Sequence, residues 1–113
     1  MSGRLPQLSD NELEDRILQS EAPLLVDFWA EWCGPCRALT PVLEELGEDY
    51  ADRAAIAKVN VDDNTAAAAR YGVQSIPTLV LFQNGEERER LVGAHGKDVI
   101  AKMLDRYAKS AAA

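Results

Sequence analysis

Apolar residues along the chain follow two alternating rhythms, unbroken runs of strand length and stripes that return every three or four positions. Ser9 followed by Glu12 forms a capping-box pattern, and Leu13, Ile17 and Leu18 then fall on one side of a helix predicted to run to about Ser20, before Glu21-Ala22-Pro23. Leu24 to Ala30 is near-continuously apolar, as a central strand covered on both faces should be, and Asp27 is the anomaly inside it. Ala38, Leu39, Val42, Leu43 and Leu46 then repeat at helical spacing as far as about Tyr50. Pro41 lies inside that pattern and predicts a kink. Ala54 to Val61 is a second apolar strand, interrupted by Lys58 and closed by Asp62-Asp63-Asn64. An alanine-rich helix over Thr65 to Tyr71 follows, ending at Gly72, which suits a left-handed cap. Ile76-Pro77-Thr78 introduces the strand Leu79 to Phe82. Asn84-Gly85 is a two-residue hairpin signal that pairs it antiparallel with Arg88 to Val92. Val99, Ile100, Met103, Leu104 and Tyr107 share one face of a last helix over about Lys97 to Ala108, and the final Ala-Ala-Ala is expected to fray.

With a short strand at Leu5 to Leu8, the order β-α-β-α-β-α-β-β-α implies an α/β fold, a mixed sheet with helices on both faces. Parallel strands need crossovers and the only tight turn is Asn84-Gly85, so the first three strands are expected to be parallel and the last two a hairpin. No repeat, linker or low-complexity segment divides the chain, which reads as a single domain over residues 1–113 with its core at about 5–108. At 113 residues, 47% hydrophobic, it holds enough apolar side chain for one aliphatic core. Twelve basic against 19 acidic residues give a net charge of −7, which opposes phosphate backbones and anionic lipid and argues against nucleic acid and membrane as partners. Met1 to Pro6 has no apolar leader core, and no run approaches the roughly 20 apolar residues of a membrane span. A cytoplasmic protein is expected.

The chain's only two cysteines, Cys33 and Cys36, directly follow the first apolar strand. A zinc site would want four ligands, and His95 is the only imidazole. A static disulfide closing so short a loop contributes little chain entropy. Thiol–disulfide exchange is the leading reading. Cys33 falls at a helix N-terminus, where free amides and the helix dipole favour a thiolate, and is the expected nucleophile; Cys36 is the expected resolving thiol. Pro35 is tolerated in the first helical turn, and Gly34 leaves the approach to sulfur open. Asp27 and Lys58 would each be costly if buried alone. They are expected to approach one another beneath the cysteines, where a carboxyl of raised pKa could take the Cys36 proton through water. The residues by themselves equally allow a structural buried pair, or a Lys58 amine that escapes to the surface.

Trp29-Ala30-Glu31-Trp32-Cys33-Gly34-Pro35-Cys36, with Val26-Asp27-Phe28 before it and Ile76-Pro77-Thr78 and Val92-Gly93-Ala94 after it, resembles the thioredoxin family, from about Leu5 to Tyr107. The resemblance implies a thioredoxin fold, a five-stranded mixed sheet in the order 1-3-2-4-5 with four helices, and protein-disulfide reductase activity. It favours the catalytic role for Asp27 and Lys58. It further implies a cis Ile76-Pro77 bond facing the cysteines, with the Ile76 backbone pairing with an extended substrate segment. Trp32, Gly34, Pro35, Ile76, Pro77, Gly93 and Ala94 would form the docking surface, with Trp29 and Pro41 in structural support. No bound cofactor or metal is implied beyond the redox-active disulfide. Electrons would come from NADPH through a thioredoxin reductase, a ferredoxin-linked donor being the other route. The partners would be that reductase and disulfide-containing proteins, met by a monomer. The chain departs from the family pattern at Ala94-His95-Gly96, where His95 is either a solvated loop residue or tunes substrate choice, and at Asn64-Thr65-Ala66-Ala67, which lacks a frequent proline. Arg37 keeps the positive charge beside the cysteines. A disulfide oxidant or isomerase, and a binding subunit that only lends its docking surface, are the alternatives.

Overall fold

Ser9 closes a full capping box at the start of the first helix, accepting from the Glu12 amide while the Glu12 carboxylate accepts from the Ser9 amide. That helix is α1 (Asp10–Gln19) in the computed structural model, which describes residues 5–108; the expected fraying of the last three alanines lies outside them. The chain continues through β1 (Leu24–Trp29), α2 (Gly34–Asp49), β2 (Ala55–Asn60), α3 (Thr65–Arg70), β3 (Thr78–Gln83), β4 (Glu86–Val92) and α4 (Lys97–Tyr107). Pro41 lies inside α2.

Among the described residues the sheet has four strands in the order β2-β1-β3-β4, not the five expected. β1 and β2 are parallel, while β3 runs antiparallel to both β1 and β4. The Leu5 to Leu8 segment contributes one parallel bridge, Gln7 to Lys58, with the Lys58 amide donating to Pro6 C=O and the Leu8 amide to Lys58 C=O, each at 2.8 Å. It does not extend into a strand because Pro6 has no amide hydrogen to give, and the chain turns into the α1 cap at Ser9 immediately afterwards. Within the expected order 1-3-2-4-5, the last four positions therefore stand and the first is reduced to a single bridge.

Alternation along the strands sorts the core into two layers. Leu24, Val26, Phe28, Ala57, Val59, Val80 and Phe82 face α1 and α3, with Leu13, Ile17 and Ala67 opposite them. Leu25, Ile56, Leu79 and Leu81 face α2 and α4, packing on Leu39, Leu43, Leu46, Ile100, Met103 and Leu104. By the same alternation, Asp27 and Lys58 point into the α2/α4 layer. Asn84 (φ 54°) and Gly85 (φ 81°) make the hairpin turn with two left-handed residues, the conformation an Asn-Gly pair favours. Arg88 is the extra residue of a bulge, since Leu81 faces Glu89 and Phe82 faces Glu87.

The start of α3 differs from an ordinary cap. Asn64 makes no side-chain bond to its own helix; its Oδ1 accepts from the Asp10 amide, and the Asp10 carboxylate accepts from the Ala67 amide at 2.8 Å. One acidic residue of α1 thus satisfies a free amide of α3 and joins the two helices on their side of the sheet.

Candidate active site

Strand β1 ends one residue before Ala30, whose carbonyl accepts from the Cys33 amide and so turns the chain into α2. Cys33 is the N-cap residue of α2, and its sulfur accepts from the Cys36 amide at 3.2 Å. An N-cap is normally an oxygen-bearing residue that satisfies a free amide. Here a sulfur holds that position and lies at the positive end of the helix dipole, with no acidic side chain in the first turn to compete for it. Cys33 and Cys36 are disulfide-bonded, with 5.2 Å between their Cα atoms. Cys33 retains 5% of its surface and Cys36 none, so an incoming group meets Cys33 first. Gly34 and Pro35 beside them are exposed, and a Cβ added at Gly34 would meet nothing within 4 Å, leaving that side open to a partner.

Around the cysteines lies an apolar rim. Ala30, Trp29, Val61 and Ile76 pack against the pair. Trp32 is 69% exposed and is held over the adjoining surface by its indole N–H, which donates to Asp62 Oδ2 at 2.9 Å. Trp32, Val61, Ala68, Val73 and Ile76 line an open groove of about 380 Å³ beside the disulfide. The Ile76-Pro77 bond is cis, and the Gly93 amide donates to Pro77 C=O at 2.8 Å, which ties the two loops together. Gly93 has φ 93°, a conformation that glycine adopts without strain. Ile76 and Gly93 are half-buried, Ala94 is exposed, and Pro77 itself is buried. The structure thus gathers Trp32, Gly34, Pro35, Ile76 and Gly93-Ala94 around one end of the sheet. The His95 ring folds back on the same loop, with Nε2 at 3.0 Å from Val92 C=O.

Asp27 and Lys58 are register partners across β1 and β2, and both are buried. They are not hydrogen-bonded to each other: neither Asp27 oxygen has a partner among the described residues. Burial pushes the Asp27 carboxyl up to about 7 against the opposing pull of the Lys58 charge. Burial likewise lowers Lys58, with Asp27 and Glu44 acting the other way. The Lys58 ammonium donates to Thr40 Oγ1 at 3.1 Å and lies 3.9 Å from the centre of the Trp29 ring, a cation–π contact. Trp29 is itself steadied by its N–H bond to Gln7 Oε1 at 3.2 Å. Pro41 is exposed and stands apart from these contacts.

Sequence reasoning missed Thr40 and Asp62. Thr40 carried a signal, a polar residue beside Leu39 in the apolar stripe of α2; Asp62 carried none, as one acid in a polar turn. Among the described residues no group of three or more His, Cys, Asp or Glu side chains is placed to hold a metal ion.

The family model described as Thioredoxin matches residues 4–106. "Thioredoxin 2" of Chlorobaculum tepidum is 48% identical over 107 residues, covering 95% of this chain and 98% of the relative. The thioredoxin of Rickettsia bellii is 43% identical, over 87% of this chain and 93% of its own. A solved structure of a mutant thioredoxin from Halobacterium salinarum superposes with a TM-score of 0.87 at 39% identity, covering 96% of this chain and 95% of that one. A capping sulfur backed by a buried second cysteine and rimmed by an apolar groove agrees with all three, and the chain belongs to the thioredoxin family, oxidoreductases that reduce protein disulfides by thiol–disulfide exchange.

Proposed function

We propose that the reduced chain attacks substrate disulfides through the Cys33 thiolate. A bond forms between Cys33 Sγ and one substrate sulfur while the substrate S–S bond breaks, and the other substrate sulfur leaves as a thiolate. The Cys36 thiol then passes its proton to Asp27 through water and attacks Cys33 Sγ. The Cys33–substrate bond breaks, the second substrate sulfur departs, and two electrons have moved to the substrate as the Cys33–Cys36 disulfide forms. The observation that carries this division of labour is the N-cap position of Cys33 at the rim with Cys36 sealed beneath it. Trp32, Gly34, Pro35, Ile76, Gly93 and Ala94 form the docking surface, with the buried Pro77 shaping it from beneath through its cis bond to Ile76. An extended substrate segment pairs with the Ile76 backbone, and its side chains enter the groove beside Trp32.

A thioredoxin reductase fed by NADPH restores the dithiol, and the protein works as a cytoplasmic monomer that meets reductase and substrates in turn. What supports these finer assignments is the likeness to bacterial thioredoxins over nearly their whole length.

Equilibration of the Cys33/Cys36 pair in graded dithiol buffers tests the direction of electron flow. Thioredoxins lie near −270 mV and isomerases near −180 mV, the former being the family's known value and not one obtained from these residues. A potential at the reducing end supports the reductase; one near the isomerases overturns it. Cys36→Ser is expected to accumulate the substrate joined to Cys33, visible as an adduct by intact mass. No adduct there, with an adduct in Cys33→Ser instead, would exchange the two roles.

A further inference from the structure

Lys58 lies next to Asp27 in the strand register, yet its ammonium is engaged elsewhere. An ammonium only donates, so the 3.1 Å bond makes Thr40 Oγ1 the acceptor. The same hydroxyl gives its one proton to Cys36 C=O, at 3.3 Å, four residues back along α2. A threonine within a helix makes that backward bond readily. Its direction fixes the hydroxyl lone pairs toward Lys58. The Trp29 ring closes the other side of the ammonium at 3.9 Å. Among the described residues, the buried side-chain oxygens left without a partner are those of Asp27.

We propose that Thr40 is a positioning residue for the second half of the reaction: anchored on the backbone of the resolving cysteine, its hydroxyl holds the Lys58 ammonium off Asp27 and leaves that carboxyl able to exchange a proton with Cys36. The inference rests on the proton-acceptor role given to Asp27 above, and it assigns to α2 the control of that role. Other groups facing Asp27 do not supply the control. β3 presents Leu79 as its register partner, and α4 presents Ile100, Met103 and Leu104 to the same layer, all uncharged. From α2 come the two cysteines and Glu44, whose charge acts on Lys58. Without the Thr40 hydroxyl, the ammonium loses its hydrogen-bond acceptor, and its register partner Asp27 holds two unpartnered oxygens that can take its place.

The test is the side-chain carboxyl titration of Asp27, followed by carbon-13 NMR in the oxidised protein, where the disulfide removes both thiols from the titration. Thr40→Val keeps the shape and removes the hydroxyl, Thr40→Ala removes it without branched bulk, and Thr40→Ser keeps it. In Val or Ala the Asp27 midpoint is expected to fall by about one pH unit, the low end for an opposite charge brought within bonding distance. Ser is expected to titrate as the wild type. A midpoint that stays put or rises on loss of the hydroxyl overturns the proposal, since Lys58 would then have turned to Glu44 or to solvent; so does a Ser variant that falls with the others. Because the titration is read in the resting disulfide form, its outcome does not depend on whether Asp27 takes the Cys36 proton. That role is decided separately by the resolution rate of Asp27→Ala.

Discussion

Asp27 illustrates how one residue ties stability to chemistry. Its carboxyl is fully buried, both oxygens lack a partner among the described residues, and burial pushes it up to about 7. The folded state therefore holds the proton more tightly than the unfolded chain, where an aspartate titrates near about 3.9. Stability from this group is fully present below about pH 3.9, declines as pH rises, and is lost once pH passes about 7; a span of roughly three pH units corresponds to on the order of 4 kcal/mol. Asp27→Ala is expected to abolish that decline, so that in urea unfolding of the oxidised protein the variant is more stable than wild type at pH 8 and close to it at pH 4. Equal slopes in the two proteins would show that the buried charge is not the cause. The same substitution should slow release of a preformed mixed disulfide more than the initial attack by Cys33, measured in separate single-turnover reactions. Unchanged release across pH would remove Asp27 from the mechanism. That Asp27 and Lys58 are out of place was legible in the sequence, because a charge in an apolar run stands out. Where the lysine's ammonium goes was not, because Thr40 and Trp29 reach it from two other points of the chain.

At the scale of elements, the helix starts divide by where their caps come from. α1 was readable because its capping box is written in four consecutive residues, and both reciprocal bonds form. Ser9→Ala is expected to cost about 1 kcal/mol in denaturant unfolding at neutral pH. The Ser9 amide also draws the Glu12 carboxyl below its usual range, a depressed value whose contribution is present at neutral pH and lost as pH falls through it. Glu12→Gln should therefore differ from wild type at pH 7 and converge with it in acid; a constant difference would mean that the Glu12 charge is immaterial to the cap. α3 was not readable in this way, since its amide is capped by Asp10 from the first turn of a different helix. α2 was readable as a helix, but its special property is what its first turn lacks. With no acid there and a sulfur at the N-cap, the free amides and dipole act on Cys33 rather than on a carboxylate.

The whole sheet shows the limit of reading strands from apolar runs. Apolar runs located β1, β2 and β3, because each buries its side chains, while β4, with no buried residue, was located by the Asn84-Gly85 turn before it; the order of the strands came from the resemblance, since spacing along the chain does not say which edge a crossover returns to. The expected fifth strand failed for a reason local to its sequence. Proline and an immediate helix cap leave room for one bridge, so among the described residues the outer edge of β2 is joined only at Lys58. This edge is also where Lys58 enters the site, which makes its local stability relevant to the chemistry. Central strands β1 and β3 have neighbours on both sides and helices over both faces, and their amides should exchange with solvent only on global unfolding. The Lys58 and Leu8 amides are held by one bridge each to a segment with few other ladder bonds, and should exchange through a local opening that leaves the sheet intact. In native-state hydrogen exchange with added urea, the Val26 and Val80 amides are therefore expected to follow the full unfolding slope. Lys58 and Leu8 should exchange faster, with little dependence on denaturant until the two sets merge near the transition. If Lys58 instead follows Val26 at every urea concentration, the single bridge is as firmly held as a complete strand, and the edge behaves as five strands despite its four-stranded ladder.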